Sequence, residues 1–179
     1  HPYDIAADPA SRQRAAGVHG LHLYIMYGLP RQTAASVAET LDLALRLRPQ
    51  RVAMFGYAHV PWFKKHQSAI DASELPGVEA RLDQALVAQE TLLAAGYEPV
   101  GFDHYALSDD DMAVAAREGR LSRNFQGYTT DGAAALIPSG PSAIGAFPGG
   151  FAQNARDMRA WAAAIDADRL ATARGLAPD

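Results

Sequence analysis

The sequence predicts an α/β fold, and three observations carry that prediction. Residues 21–27, Leu-His-Leu-Tyr-Ile-Met-Tyr, are apolar or aromatic at six of seven positions, and the run stops at Gly28 and Pro30. Thr33 then stands as a helix N-cap ahead of Val37, Leu41, Ala44, Leu45 and Leu47, which recur at helical spacing until Pro49. A second apolar run, Arg51-Val-Ala-Met-Phe-Gly-Tyr-Ala58, follows. Strand, helix, strand within about forty residues is a βαβ unit with a parallel pair. With so little polarity, 21–27 reads as a strand buried on both faces. In such units the loops at the carboxyl ends of the strands hold the chemistry, here 28–32 and 59–62.

The other elements follow in order. Residues 1–11 are polar and broken at Pro9, and 12–16 form a helix tail capped by Gly17. The pattern of helix, glycine and strand returns at 93–105, as in a β/α layer with recurring units. Residues 59–74 form a loop whose basic cluster, Lys64-Lys-His66, reads as solvated. A long helix is expected over 78–95 with Val78, Leu82, Leu86 and Leu93 on its buried side, then a strand over 100–106. Ser108 and Asp109-Asp-Asp111 start a helix that ends at Gly119, and N-capping explains the acidic run more simply than a metal does. Residues 123–130 are polar and aromatic without helical period. Residues 133–137 are small and apolar, and 139–145 are turn-rich enough to bring backbone N–H groups close to a ligand. A last helix is expected over 155–165 with Met158, Trp161 and Ile165 inward.

Composition bounds the function. The chain has 179 residues, 49% hydrophobic and 20% charged, which suits one soluble globular domain or a large piece of one. A net charge of −4 and a pI near 5.8 argue against a nucleic-acid surface. No apolar run reaches the length of a membrane span and no signal peptide is present, so the cytoplasm is the expected location. The cysteine count is zero, which excludes disulfides, thiolate metal sites and a cysteine-held iron–sulfur cluster within this chain. A chain that opens on His1 rather than methionine reads as a processed product or an internal piece.

The sequence lacks G-x-G-x-x-G, Walker A, H-E-x-x-H and G-x-S-x-G. Its six histidines show no paired metal spacing, and no metal ligands are assigned. His22, inside a strand, reads as a hydrogen-bonded core histidine. Asp103 and His104 are adjacent, so on a strand they point to opposite faces, which disfavours a dyad. Three strand-end loops, 27–30, 55–61 and 124–130, combine aromatics, glycine and amides. That composition suits a flat polar ligand such as a nucleoside, although packing alone also accounts for it.

Seven motifs occur in order: Tyr27-Gly-Leu-Pro-Arg-Gln-Thr33, Tyr57-Ala-His-Val-Pro61, Asp103-His-Tyr-Ala106, Arg117-Glu-Gly119, Arg123-Asn-Phe-Gln-Gly-Tyr-Thr-Thr130, Ser142-Ala-Ile144 and Phe151-Ala-Gln-Asn154. Together they resemble the oxygen-independent coproporphyrinogen III oxidase (dehydrogenase) family of radical S-adenosylmethionine enzymes. The resemblance runs from about Arg14 to Ile165 and reads as the C-terminal portion of the family. The block at 123–130 is its most specific part. A sister haem-chaperone branch usually has His-Asn-x-x-Tyr-Trp there, so this chain sides with the oxidase.

The resemblance implies the last strands and helices of a partial (β/α)6 barrel over 1–106, then a mostly helical family-specific region over 107–179. It implies oxidative decarboxylation of coproporphyrinogen III to protoporphyrinogen IX in haem biosynthesis, with S-adenosylmethionine and a [4Fe-4S] cluster. The family's C-x-x-x-C-x-x-C loop lies upstream of the matched region, so this chain has no cluster ligands and is expected to be inactive alone. Its expected partners are a tetrapyrrole substrate and the missing N-terminal half of the barrel. By resemblance Tyr24 stands where the family has an aspartate that binds one S-adenosylmethionine. Ala58 and Ile144 match positions around a second, and Phe125 and Gln126 belong to the same pocket. A haem or tetrapyrrole carrier of the sister branch is the alternative from a different functional class.

Overall fold

A computed structural model of the chain describes residues 3–18, 20–125 and 127–177. It divides into two compact units, His1–Gly119 and Arg120–Asp179.

In the first unit, helix α1 (Tyr3–Ala15) runs straight through Pro9, where a break was expected. The proline forfeits one backbone bond, and several alanines around it favour helix. Ala10 anchors the helix against Leu21 and Leu47, and Arg14 donates to the carbonyls of Leu47 and Arg48. Strand β1 (His22–Tyr27), helix α2 (Ala34–Arg46) and strand β2 (Arg51–Gly56) form the expected parallel βαβ unit, with His22 opposite Arg51 and Tyr27 opposite Gly56. Thr33 caps α2 in a reciprocal box with Ser36.

Helix α3 (Val78–Ala94) is present, but its buried side is not the leucine side. Gln84, Ala88 and Leu92 are buried, whereas Val78, Leu82, Leu86 and Leu93 are exposed. The spacing 84, 88, 92 forms a stripe narrow enough for α3 to lie close on α2 and the sheet. A single strand over 100–106 is also corrected. Strands β3 (Tyr97–Pro99) and β4 (His104–Leu107) pair antiparallel, and β4 runs antiparallel to β2. The segment at 93–105 therefore does not repeat the parallel unit. The sheet order is β1-β2-β4-β3, an open sheet. Helix α4 (Asp111–Arg117) starts on Asp110 as N-cap, and Gly119 follows it as expected.

The core fills one face of this sheet: Val37 and Leu41 of α2, Ala88 and Leu92 of α3, Val52, Met54 and Tyr97, with Ile25, Tyr27, Tyr105 and Leu107 against them. The other face of β1 is open, with Tyr24 65% and Met26 45% exposed, so β1 is covered on one face and not on two. An apolar strand marks both covered and uncovered faces of a sheet, and only the number of packed layers tells them apart.

The second unit is richer in strand than its expected helical character. It holds the hairpin β5 (Ser122–Asn124) and β6 (Gly127–Thr129), and the antiparallel sheet β7 (Ile144–Phe147), β8 (Gly150–Asn154) and β9 (Thr172–Leu176). Helix α5 (Met158–Asp166) lies between β8 and β9 and is capped by Asp157. Trp161 is half-buried, but Met158 and Ile165, expected inward, are exposed. Short strands of three to five residues carry too little periodicity to read in advance.

Candidate functional site

Strand alternation and register place His22, Tyr24 and Met26 on one face with Arg51, Ala53, Phe55, His104 and Ala106. This is the face opposite the core. The row Tyr24, Ala53, His104 crosses three strands, and the alanine between leaves room for rings. His22 stacks on Tyr24 at 4.4 Å, and Tyr24 stacks on Phe55 at 5.7 Å and 7°. His104 meets Phe55 edge-on at 5.8 Å and His22 at 5.7 Å. At the rim, Arg51 Nε lies 2.9 Å from the Asp110 carboxylate.

Two expectations change here. His22 is not a hydrogen-bonded core histidine: its Nε2 is buried with no hydrogen-bond partner. Burial pushes its pKa down from the usual value, and the neighbouring His104 and Arg51 push the same way. Asp103 and His104 do meet, with Nδ1 2.7 Å from Oδ1. Asp103 precedes the first residue of β4, so strand alternation does not separate them.

At the carboxyl ends of the parallel strands, loop 28–32 is held from below. Gly28 adopts φ +82°, and its N–H donates to Gln84 Oε1 at 2.8 Å. Gln84 Nε2 donates to the Gln32 carbonyl at 2.6 Å. Arg81, one turn earlier on α3, donates to the Tyr57 carbonyl at 2.9 Å. Gln67 bridges the second loop, from the Ala58 carbonyl at 3.0 Å to the Val60 N–H at 2.6 Å. Tyr57 Oη lies 3.1 Å from His59 Nδ1. Sequence reasoning missed Gln84 and Arg81, because a polar stripe beside a leucine stripe gives no signal of burial.

In the second unit, a cavity of about 260 Å³ is lined by Phe125, Ile144, Phe151, Gln153, Arg174 and Leu176, among others. Phe125 meets Phe151 edge-on at 5.1 Å. The structure thus brings together Phe125 and Ile144 of the anticipated residues. Tyr24 sits mid-strand on β1, and Ala58 is exposed beyond the end of β2. Gln126 lies outside the described residues. Arg174 was missed, since no strand was expected over 172–176, and Gln153, although inside the 151–154 motif, was given no role. Among the described residues no cluster of histidine, cysteine, aspartate or glutamate could hold a metal ion. No helix among them is long and apolar enough to cross a membrane.

No family model matches the chain. By structure it is similar to the coproporphyrinogen III oxidase (HemN) of Escherichia coli, described as a radical SAM enzyme, with a TM-score of 0.93 and 36% identity, covering 100% of this chain and 41% of that one. The open sheet and its helices are therefore part of a radical SAM enzyme fold. By sequence it is similar to the oxygen-independent coproporphyrinogen III oxidases of Bradyrhizobium diazoefficiens, 51% identical over 90% of this chain, and of Helicobacter pylori, 35% identical over 98%. The chain belongs to the oxygen-independent coproporphyrinogen III oxidase family. It spans 36% of the length of the Bradyrhizobium relative and 38% of the Helicobacter one.

Proposed function

We propose that this chain is part of an enzyme that oxidatively decarboxylates coproporphyrinogen III to protoporphyrinogen IX in haem biosynthesis, supplying walls of its cofactor and substrate site. The observation that carries this is the match at 36% identity and TM-score 0.93 over the whole chain to a radical SAM coproporphyrinogen III oxidase. The relatives' oxidase names favour this reading over a tetrapyrrole carrier.

The residues present do not fit a [4Fe-4S] cluster. Such clusters need thiolates, and the sequence has no cysteine. The cluster belongs to the remaining length of the relatives, and this chain alone does not turn over. The residues do fit parts of S-adenosylmethionine. The aromatic layer around Tyr24 offers flat faces, and the cavity beside Phe125 and Ile144 is smaller than a typical ligand pocket, so it takes one portion of a ligand. When bound and reductively cleaved, S-adenosylmethionine supplies hydrogen-atom abstraction from a propionate side chain.

This chain's own part is to position and to exclude water. Loop 28–32, clamped by Gln84, fixes the rim above β1. Phe125 and Phe151 present apolar surface to a bound group, and Gln126 is assigned to the same pocket by the family motif. In this reading the barrel part ends near residue 106 and the family-specific part follows. Tyr24 replaces an acceptor anion with a neutral phenol, which weakens the first S-adenosylmethionine site.

A chimera tests the reading. The matching segment of the Bradyrhizobium relative is exchanged for this chain, with and without Tyr24→Asp, and anaerobic decarboxylation is measured after cluster reconstitution. Activity in at least the Tyr24→Asp chimera is expected. A folded, cluster-loaded chimera that decarboxylates in neither form would overturn it.

A further inference from the structure

We propose, resting on the reading above, that the cavity beside Phe125 is a carboxylate-binding subsite in which Arg174 receives the anion. The register of β7, β8 and β9 lines Ile144, Gln153 and Arg174 in one row across three strands. Phe151 and Leu176 form the neighbouring row on the same face, with Phe125 edge-on to Phe151. Arg174 is the one charged side chain among the described residues lining the cavity, and its other walls among them are mainly apolar.

Among the described residues no carboxylate forms an ion pair with Arg174. A guanidinium is always charged and offers a planar fork of donors, which matches a carboxylate with two parallel bonds. Arg174 is exposed, as is the rest of β9, so its guanidinium is open to a ligand arriving from solvent, and the pairing is screened as a surface pair is. Gln153 already donates Nε2 to the Ser142 carbonyl at 3.1 Å, so it presents its oxygen as a further acceptor. The cavity therefore combines flat apolar contact with one cation, the group that pairs with that cation is a carboxylate on a larger, partly apolar ligand, and the Gln153 oxygen is left to accept from an N–H donor. Two ligands of the proposed reaction carry one: S-adenosylmethionine at its amino-acid end, and the tetrapyrrole on its propionates.

Calorimetric titration of the 179-residue chain with two matched probe pairs separates these sources. The first pair is S-adenosylhomocysteine and 5′-methylthioadenosine, which lacks the amino-acid end. The second is coproporphyrin III and its methyl ester. In one pair the acid is expected to bind at least about tenfold more tightly than its neutral partner. Arg174→Gln should erase that difference and Arg174→Lys should retain part of it. The pair that shows it identifies the source. Binding of acid and neutral probes with equal affinity, unchanged in both variants, would overturn the subsite and leave the family reading standing. Failure of all four probes to bind would overturn both the subsite and the proposal that this chain supplies walls of the ligand site.

Discussion

Gln84 accepts a hydrogen bond from the Gly28 N–H at 2.8 Å, tying a fully buried helix amide to the left-handed turn that ends β1. The same side chain donates to the Gln32 carbonyl. Gln84→Leu keeps the bulk and strands both backbone groups, so it should cost about 2–4 kcal/mol. Gln84→Glu can accept but, ionised, cannot donate, and should also destabilise. Urea unfolding of the three proteins checks the order.

His22 gives the chain an acid-sensitive element. Its folded pKa lies below the usual 6.5, chiefly through burial. The unfolded chain therefore binds more protons just below 6.5 than the folded chain does. The contribution is complete above pH 6.5 and is lost as pH falls through 6.5 toward the folded value. His22→Phe, which keeps a ring and removes the titration, should flatten the stability profile as pH is taken from neutral down through 6.5. Denaturant midpoints of both proteins across that range measure it.

Tyr24 lies between His22 and Phe55 and stacks on both. Aspartate at this position would lose both contacts and put a charge beside rings. Tyr24→Asp should lower stability by about 1 kcal/mol even where it helps a ligand bind. Thermal unfolding of the free chain reads the loss separately from any gain in affinity.

Asp110 has two duties. Its carboxylate caps α4 at Met112 N, 2.8 Å away, and pairs with Arg51. Asp110→Asn retains the cap and weakens the ion pair, whereas Asp110→Ala loses both. The alanine variant should be the less stable by about 1 kcal/mol, measured by chemical denaturation.

Gly150 sits at φ +136°, and a Cβ there would lie 2.1 Å from the Leu176 carbonyl oxygen. Gly150→Ala should detach the end of β9 at a cost of about 2 kcal/mol or more. Faster hydrogen exchange at the β9 amides, with β1 and β2 unchanged, is the expected signature.

The βαβ unit was legible because residues 21–27 and 51–58 are long apolar runs and Thr33 and Pro49 bracket the helix between them. The face of α3 was not. Leu82 and Leu86 obey the same periodicity as Gln84 and Ala88, and hydrophobicity favours the leucines until packing against α2 is known. The Asp103–His104 pair was lost for a related reason. Alternation holds only inside a strand, and β4 begins one residue later than that pair required. Of the candidate residues, Phe125 and Ile144 came from a motif. Arg174 has no motif, and only the pairing of β8 with β9 places it at the cavity.

Strand β1 is the outer strand of its sheet, with β2 on one side. Its six residues, His22–Tyr27, include no charge and no proline. Soluble proteins commonly guard such an edge with lysine, a bulge or a covering loop. Among the described residues no further strand pairs with this edge, so in the 179-residue chain taken by itself it is a template for a strand from another molecule. Handling the chain is thus a colloidal problem as well as a folding one: light scattering should rise with concentration, and a lysine in place of Met26 should suppress it.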